Sequence, residues 1–339
     1  MEEDEILQIE ALRVYFYTQE GVVKAVDDAS FRVSKGKVLG VVGESGCGKS
    51  VTALSVLRIV PPPGRIVDGK IRYRRQLGGN GSSSASEVVD LTELHPRGQE
   101  MRGIRGDEIS MVFQEPMTSL DPVYTVGGHL LEAITLHQSV DKQEARRRAI
   151  EMLENVGMPQ PHRTIDAYPH QLSGGMRQRV MIAVALSCHP SLLIADEPTT
   201  ALDVTTEAQI LDLMRGLQQQ MGSAIMYITH DLGVIAEMSD DVIVMYLGKV
   251  VEQADVDSIF YDPQHPYTRA LLQSIPKITR KTKERLQPIK GIVPDPYTIP
   301  KGCPFWPRCT SFMPGTCDQE DPAYTTVRPG HQVRCHLYG

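Results

Sequence analysis

An α/β fold with a mainly parallel sheet is what this sequence predicts, and three observations carry the prediction. The stretch "KVLGVVGESGCGKSVTALSVLRIV" passes from an apolar strand through a glycine-rich loop into a helix. The runs "SLLIAD" and "SAIMYIT" read as buried strands, and helical segments separate them. Strands that alternate with helices and are apolar on both faces belong to a parallel sheet covered on both sides.

Taken in order, residues 6–42 alternate apolar and polar positions ("LQIEALRVYFY", "VVKAVDDASFRV"), which reads as short strands leading to the buried one. The helix after the glycine-rich loop is expected to stop at Pro61 to Pro63. The polar run "GGNGSSSAS" at 78–86 reads as a hairpin tip. Residues 125–157 carry helical segments, including "KQEARRRAIEMLENVG" with a glycine at its end. Its arginines interleave with Glu144 and Glu151, so a solvated helix face is expected there rather than a binding patch. A loop at 173 opens another helix, and "DVIVMYLGKVVEQ" reads as a hairpin. After about residue 262 the chain turns proline-rich, with a basic run "KITRKTKER" and then cysteines, and a boundary is expected at that shift.

The 339 residues suffice for one large domain with an appendage or for two ordinary domains. A composition of 41% hydrophobic and 23% charged residues excludes disorder as the general state. A net charge of -7 gives no global attraction for nucleic acid. The apolar runs are far below the roughly 18 to 20 residues that cross a bilayer, and the acidic start "MEEDEILQIE" has no secretory pattern. A cytosolic, reducing setting is therefore expected. In such a setting Cys303, Cys309, Cys317 and Cys335 are better explained by metal than by disulfides.

The chemistry starts at Gly43 to Ser50, "GESGCGKS", which fits G-x-x-x-x-G-K-[ST] between a strand and a helix. Glycines let successive backbone N–H groups wrap around phosphate oxygens, and the helix N-terminus adds positive dipole. Lys49 can reach the β and γ phosphates, and Ser50 offers a hydroxyl to Mg²⁺. Cys47 is read as a passive small residue. In "LLIADEP", Asp196 can hold the Mg²⁺ shell and Glu197 can polarise an attacking water. His230 ends the strand "IMYITH", placed to sense a γ phosphate, and Gln114 after "ISMVF" is suited to touch Mg²⁺ or water.

With "LSGGMRQR" at Leu172 to Arg179, the ordered motifs make the chain resemble an ABC ATPase subunit. The resemblance implies a P-loop NTPase (RecA-like) α/β core with an antiparallel β subdomain and a helical subdomain at about 115–172. These would form an ATPase domain over 1–262, followed by a small Cys-rich extension over 263–339. It implies that Phe16, with Tyr17 as the weaker alternative, stacks adenine. Gly43, Glu44, Ser45, Gly46, Cys47, Gly48, Lys49 and Ser50, with Val51 after them, would hold ATP as Walker A. Gln114 would be the Q-loop residue, Asp196 and Glu197 Walker B, residues 201 to 203 the D-loop, and His230 the switch histidine. Glu197, His230 and Gln114 are thus the expected catalytic groups, and Ser50, Gln114 and Asp196 the expected Mg²⁺ ligands. Ser173, Gly174 and Gly175 present a hydroxyl and bare N–H groups at a helix start. By resemblance they face the γ phosphate held by a second subunit, although Met176 replaces the glutamine usual after them.

The segments "FQEPMTSLDPVYTVG", "SGGMRQRV" and "DPQHPYTRALLQSIP" are similar to the ATPases of oligopeptide and dipeptide importers. The partners this implies are a second ABC ATPase subunit, expected as a paralogue in a heterodimer, two transmembrane permease subunits and an extracytoplasmic solute-binding protein. The chain would lie peripherally on the cytoplasmic face of the cell membrane and bind no nucleic acid. Peptide is the expected cargo, with oligosaccharides or nickel as alternatives within the class. A soluble ABC ATPase acting on DNA or ribosomes ranks lower, because neither a long coiled-coil insertion nor a second ATPase half is present. A redox module with incidental ATPase ranks last.

"GCPFWPRC" opens the pattern C-x5-C-x7-C-x17-C. Structural zinc usually shows tighter knuckles, and wide uneven spacing suits a cubane whose irons take ligands from different directions. Spacing alone leaves [4Fe-4S], Zn²⁺ and unliganded thiols open. Similarity to cluster-bearing members of the class points to [4Fe-4S] on Cys303, Cys309, Cys317 and Cys335. Phe305 and Trp306 are expected to pack this tail, Cys188 to be an ordinary buried thiol, and the basic run at 277–285 to be a solvated linker rather than a lipid contact.

Overall fold

The computed structural model describes residues 1–77, 85–114, 119–200, 202–274 and 289–339. In chain order its strands are β1 (Glu5–Tyr17), β2 (Val22–Ser34), β3 (Val38–Val42), β4 (Gly64–Leu77), β5 (Ala85–Asp90), β6 (Ile109–Val112), β7 (Leu192–Asp196), β8 (Ala224–Ile228), β9 (Asp241–Tyr246), β10 (Lys249–Asp255), β11 (Tyr324–Arg328) and β12 (His331–Arg334). Two compact units divide them. One comprises Met1–Leu7, Val33–Val38 and Arg72–Ile228, the other Gln8–Arg32, Leu39–Ile71 and Thr229–Gly339.

In the first unit β6, β7 and β8 run parallel, with Met111 opposite Ile194 and Ile194 opposite Met226. Every residue of β7 and β8 is buried, as runs without polar alternation require. The helices Val126–His137, Lys142–Asn155 and Gly174–Leu186 pack on one another, and the last also covers β6. Thr125, Asp141 and Ser173 cap them by accepting from the N–H groups of Gly128, Glu144 and Met176. Lys142–Asn155 turns Ala145, Ala149, Met152 and Leu153 inward at helical spacing. On its outer face Arg147 and Arg148 pair with Glu144, and Arg147 also with Glu151. The end of β4 pairs antiparallel with β5, which begins at Ala85. The last two residues of the polar run at 78–86 are therefore strand and not tip, and 78–84 lie outside the described residues.

In the second unit β3 and β9 are parallel neighbours, and the order continues through β10 and β12 to β11 with antiparallel pairs. Leu247 and Gly248 both take positive φ (43° and 79°), the two-residue turn that matches strand twist and closes the β9–β10 hairpin. β1, β2 and β4 are neighbours in the order β2-β1-β4. There Arg13 pairs with Asp27, Asp28 and Asp68. β1 and β2 reach 13 residues each, longer than the short strands the alternation suggested, because the turn closed by Thr18 and Gly21 is the break between them. The helix Lys49–Val56 ends well before Pro61. Arg58 adopts φ 56°, and the Ile59 N–H bonds the Leu54 carbonyl at 3.0 Å, so a left-handed cap stops the helix before proline can.

Residues beyond 262 return to this sheet, since β12 pairs with β10. Glu252 of β10, fully buried, anchors that return. Its carboxylate accepts from the N–H groups of Gln264 (2.6 Å) and His265 (2.9 Å) and from His331 Nε2 (2.8 Å). No helix among the described residues is long and apolar enough to cross a membrane.

Burial by itself would raise the Glu252 carboxyl, yet the bonds from His331 and the two backbone amides bring it below its ordinary value of 4.5. Its stabilisation is therefore full above pH ~4.5 and lost as pH falls through the lower folded value. Glu252→Ala is expected to cost about 3 kcal/mol at pH 7 in urea unfolding, and to lose that part of the acid dependence. An unchanged urea midpoint would remove Glu252 from this role.

Candidate active site

In the second unit the loop Gly43–Ser50 lies directly on neighbouring backbone. A Cβ at Gly43 (φ 154°) would stand 2.2 Å from the Met245 carbonyl oxygen, and one at Gly48 (φ 103°) 2.2 Å from that of Ala25. Both positions need glycine for space and for φ. The Gly248 N–H donates to the Cys47 carbonyl (2.9 Å) and the Asp27 N–H to the Gly248 carbonyl (2.8 Å), so the hairpin tip fastens the loop. Lys49, 5% exposed, folds its ammonium back onto the carbonyls of Gly43 (2.8 Å) and Glu44 (3.3 Å). Those neutral acceptors hold it where phosphate oxygens would be stronger partners. Ser45 and Gly46 are exposed at the tip, while Ser50 and Val51 are half-buried at the helix start. Cys47 is buried, and burial pushes its thiol up, which leaves it unreactive.

Elsewhere in that unit Phe16 is half-buried, and a Cβ at Gly64 would touch its ring at 2.7 Å. Tyr17 is exposed with the Arg65 guanidinium 5.2 Å over its ring. His230 is exposed, just ahead of Asp231, whose side chain caps the helix Leu232–Met238.

In the first unit Asp196 ends β7 at 4% exposure. Glu197 follows with φ 45°, an uncommon conformation for a residue with a side chain, held by its N–H bond to the Ile228 carbonyl at 2.8 Å. Glu197 Oε2 accepts from Gln114 Nε2 at 3.1 Å and from Thr200 Oγ1 at 3.0 Å. Gln114 and Glu197, 83 positions apart in sequence, are thus brought together. Ser173 and Gly174 are exposed, and a Cβ at Gly175 would meet Thr206 Cγ2 at 2.7 Å. That close approach sets the Ser-Gly-Gly turn against the start of the helix Val204–Met221, which Asp203 caps. Residue 201 lies outside the described residues.

All four extension cysteines line one small cavity, together with His265, Phe305, Trp306 and Met313 among others. None forms a disulfide. The Cys303 N–H donates to the Cys317 carbonyl at 2.8 Å, and Gly302 must lack a side chain because a Cβ there would reach that same oxygen at 2.4 Å. Burial pushes the Cys303 thiol up to about 12, with a further push from each of the other three, and burial raises Cys309 and Cys335 as well. The cavity lining holds these four thiols and no acid. As the side chains stand, no group of three or more His, Cys, Asp or Glu among the described residues could hold a metal ion. Phe305 is buried at 2% exposure, Trp306 stacks on Phe312 at 5.0 Å, and Cys188 is a buried thiol. The basic run at 277–285 lies outside the described residues.

Sequence reasoning missed Thr200, Tyr246, Tyr267 and Arg308. The Tyr267 hydroxyl accepts from the Glu44 N–H at 3.0 Å, and Arg308 forms a two-pronged ion pair with the Glu44 carboxylate. One signal pointed at Arg308, a charged residue among Phe, Trp and Pro that burial would force to find an acid.

Comparison with known proteins agrees with this geometry. The ABC transporter family matches residues 26–200, and the oligopeptide/dipeptide transporter C-terminal region matches residues 251–317. The oligopeptide transport ATP-binding protein AppD of Bacillus subtilis is 48% identical over 334 residues, covering 98% of this chain and 97% of AppD. The dipeptide transport ATP-binding protein DppD of Escherichia coli is 46% identical over 331 residues, covering 98% and 96%. Among solved structures, the dimeric structure of MJ0796, a bacterial ABC transporter cassette, superimposes with a TM-score of 0.62 at 25% identity, over 74% of this chain and 99% of that one. The structure of cbiO1 from Clostridium perfringens, part of the ABC transporter complex cbiONQ, gives 0.60 at 25% identity, over 77% and 92%. With a glycine-rich loop fastened to neighbouring backbone, an acid pair at a strand end and likeness along nearly the whole chain, the protein belongs to the ABC transporter family, in the oligopeptide/dipeptide class of its ATP-binding proteins.

Proposed function

We propose that this chain is the ATP-hydrolysing subunit of an ABC importer and energises uptake of di- and oligopeptides through transmembrane partner subunits. The observation that carries the reading is likeness over 98% of the chain to AppD and DppD, whose names record oligopeptide and dipeptide transport. In this reading 1–262 form the ATPase domain, with a helical subdomain at about 115–172, and 263–339 the extension. Two permease subunits and an extracytoplasmic solute-binding protein complete the importer, which places the chain peripherally on the cytoplasmic face. Its ATPase partner is a paralogue in a heterodimer.

Each residue then has a defined task. The amides of Gly43 to Ser50 and the Lys49 ammonium bind the triphosphate, and Phe16 stacks adenine. Ser50, Gln114 and Asp196 would hold Mg²⁺, which supplies charge neutralisation on the phosphates when bound. Glu197 orients the attacking water and takes its proton. Gln114 and Thr200 fix Oε2 by two donors, which sets the carboxylate plane and directs Oε1 to the water. His230 hydrogen-bonds the γ phosphate. Ser173, Gly174 and Gly175 close on the triphosphate held by the partner subunit, a role that the exposure of Ser173 and Gly174 allows. Cys303, Cys309, Cys317 and Cys335 would hold a [4Fe-4S] cluster, with Zn²⁺ as the alternative occupant, a reading favoured by their lining one cavity.

Glu197→Gln is expected to bind ATP with near wild-type affinity, lose about a thousandfold in turnover, and run as an ATP-dependent dimer in gel filtration. Unaltered phosphate release would take Glu197 out of the catalytic role. Anaerobically purified protein is expected to be brown and to contain about four irons per chain by metal analysis. Stoichiometric zinc without iron would replace the cluster by the alternative.

A further inference from the structure

Arg308 belongs to the cysteine-rich extension, yet its guanidinium ends on the nucleotide loop. Its Nη1 donates to Glu44 Oε2 at 2.6 Å and its Nη2 to Glu44 Oε1 at 3.0 Å, a two-pronged pair with the arginine side chain 4% and the glutamate 25% exposed. Nη1 also reaches the Tyr246 hydroxyl at 3.3 Å, and Nε donates to the Lys290 carbonyl at 3.2 Å. Glu44 is held from its backbone as well, through the Tyr267 hydroxyl. The segment that delivers Arg308 is short. Cys303 and Cys309 bound it and line the four-thiol cavity, and between them Phe305 packs edge-on against Tyr246 (5.2 Å) and Tyr267 (5.3 Å).

Glu44 lies between Gly43 and Ser45, inside the loop whose amides receive a polyanion. A bare carboxylate at that position would repel the triphosphate and be drawn toward Lys49, the cation the phosphates need. Arginine paired by both prongs cancels that charge and fixes the carboxylate on the side of the loop toward the extension. We propose that Arg308 is a positioning residue for ATP. It neutralises and anchors Glu44, so that the four-cysteine lobe must be in place for the loop to bind nucleotide at full strength. The proposal rests on the reading of Gly43–Ser50 as the ATP loop.

The test is equilibrium titration of the full-length protein with a fluorescent ATP analogue and Mg²⁺. Arg308→Gln is expected to weaken binding about tenfold, because it leaves Glu44 charged and unpartnered. Adding Glu44→Gln to it removes the stranded charge and is expected to return affinity to within about threefold of wild type, which also shows that the arginine variant is folded. Wild-type affinity in Arg308→Gln, or a double variant as weak as the single one, would overturn the proposal. Lys49→Ala tells the two readings apart. If it binds the analogue like wild type, the ATP loop itself is misassigned; if it loses binding while Arg308→Gln does not, only the role of Arg308 fails.

Discussion

Two carbonyl oxygens, those of Ala25 and Met245, approach the loop Gly43–Ser50 so closely that no side chain fits at Gly48 or Gly43. This contact between backbone and backbone decides most of what surrounds it. It fixes the path of the loop into the helix Lys49–Val56, and it turns Lys49 back over the loop carbonyls. It also makes the β9–β10 hairpin, whose tip bonds both Cys47 and Asp27, part of the loop's foundation. A loop held this way has its amides oriented before any ligand arrives, so little ordering entropy is left for binding to overcome.

The extension continues the same construction. β12 adds to β10, and Glu252 ties the two through His331 while gathering the backbone ahead of the helix Pro266–Gln273. Buried arginines in the extension each find acids: Arg334 pairs with Asp28 and Asp321, and Arg308 with Glu44. A buried guanidinium without such partners would be strongly destabilising, so these pairs make the docked position of the lobe specific. The lobe has few strands and many turns, and its four cysteines line one cavity.

How much of this the sequence disclosed follows from the range of each interaction. The glycine loop, the acid that ends β7 and the Ser-Gly-Gly helix start are local patterns, and each lies in the strand or helix context that its sequence implies. Fully apolar runs disclosed β3, β7 and β8, because burial on both faces leaves a signature in the strand itself. Partners distant in sequence were not legible. Arg308 and Glu44 are separated by 264 positions, and neither segment specifies the other without the fold. The bond from Gln114 to Glu197 was missed for the same reason. The early stop of the helix at Val56 was missed because Arg58, a residue with no preference for positive φ, serves as its left-handed cap. The four cysteines of the tail were legible as a set, and they line one cavity, whereas the neighbouring aromatic group of Tyr246, Tyr267 and Phe305 emerges only when three segments meet.

In the proposed function the amides of this loop, oriented by the strands beneath, hold the triphosphate. Backbone hydrogen exchange with and without ATP and Mg²⁺ tests it most directly. Strong added protection over residues 45–50 is expected with triphosphate bound. Exchange in that stretch unchanged at saturating nucleotide would contradict it.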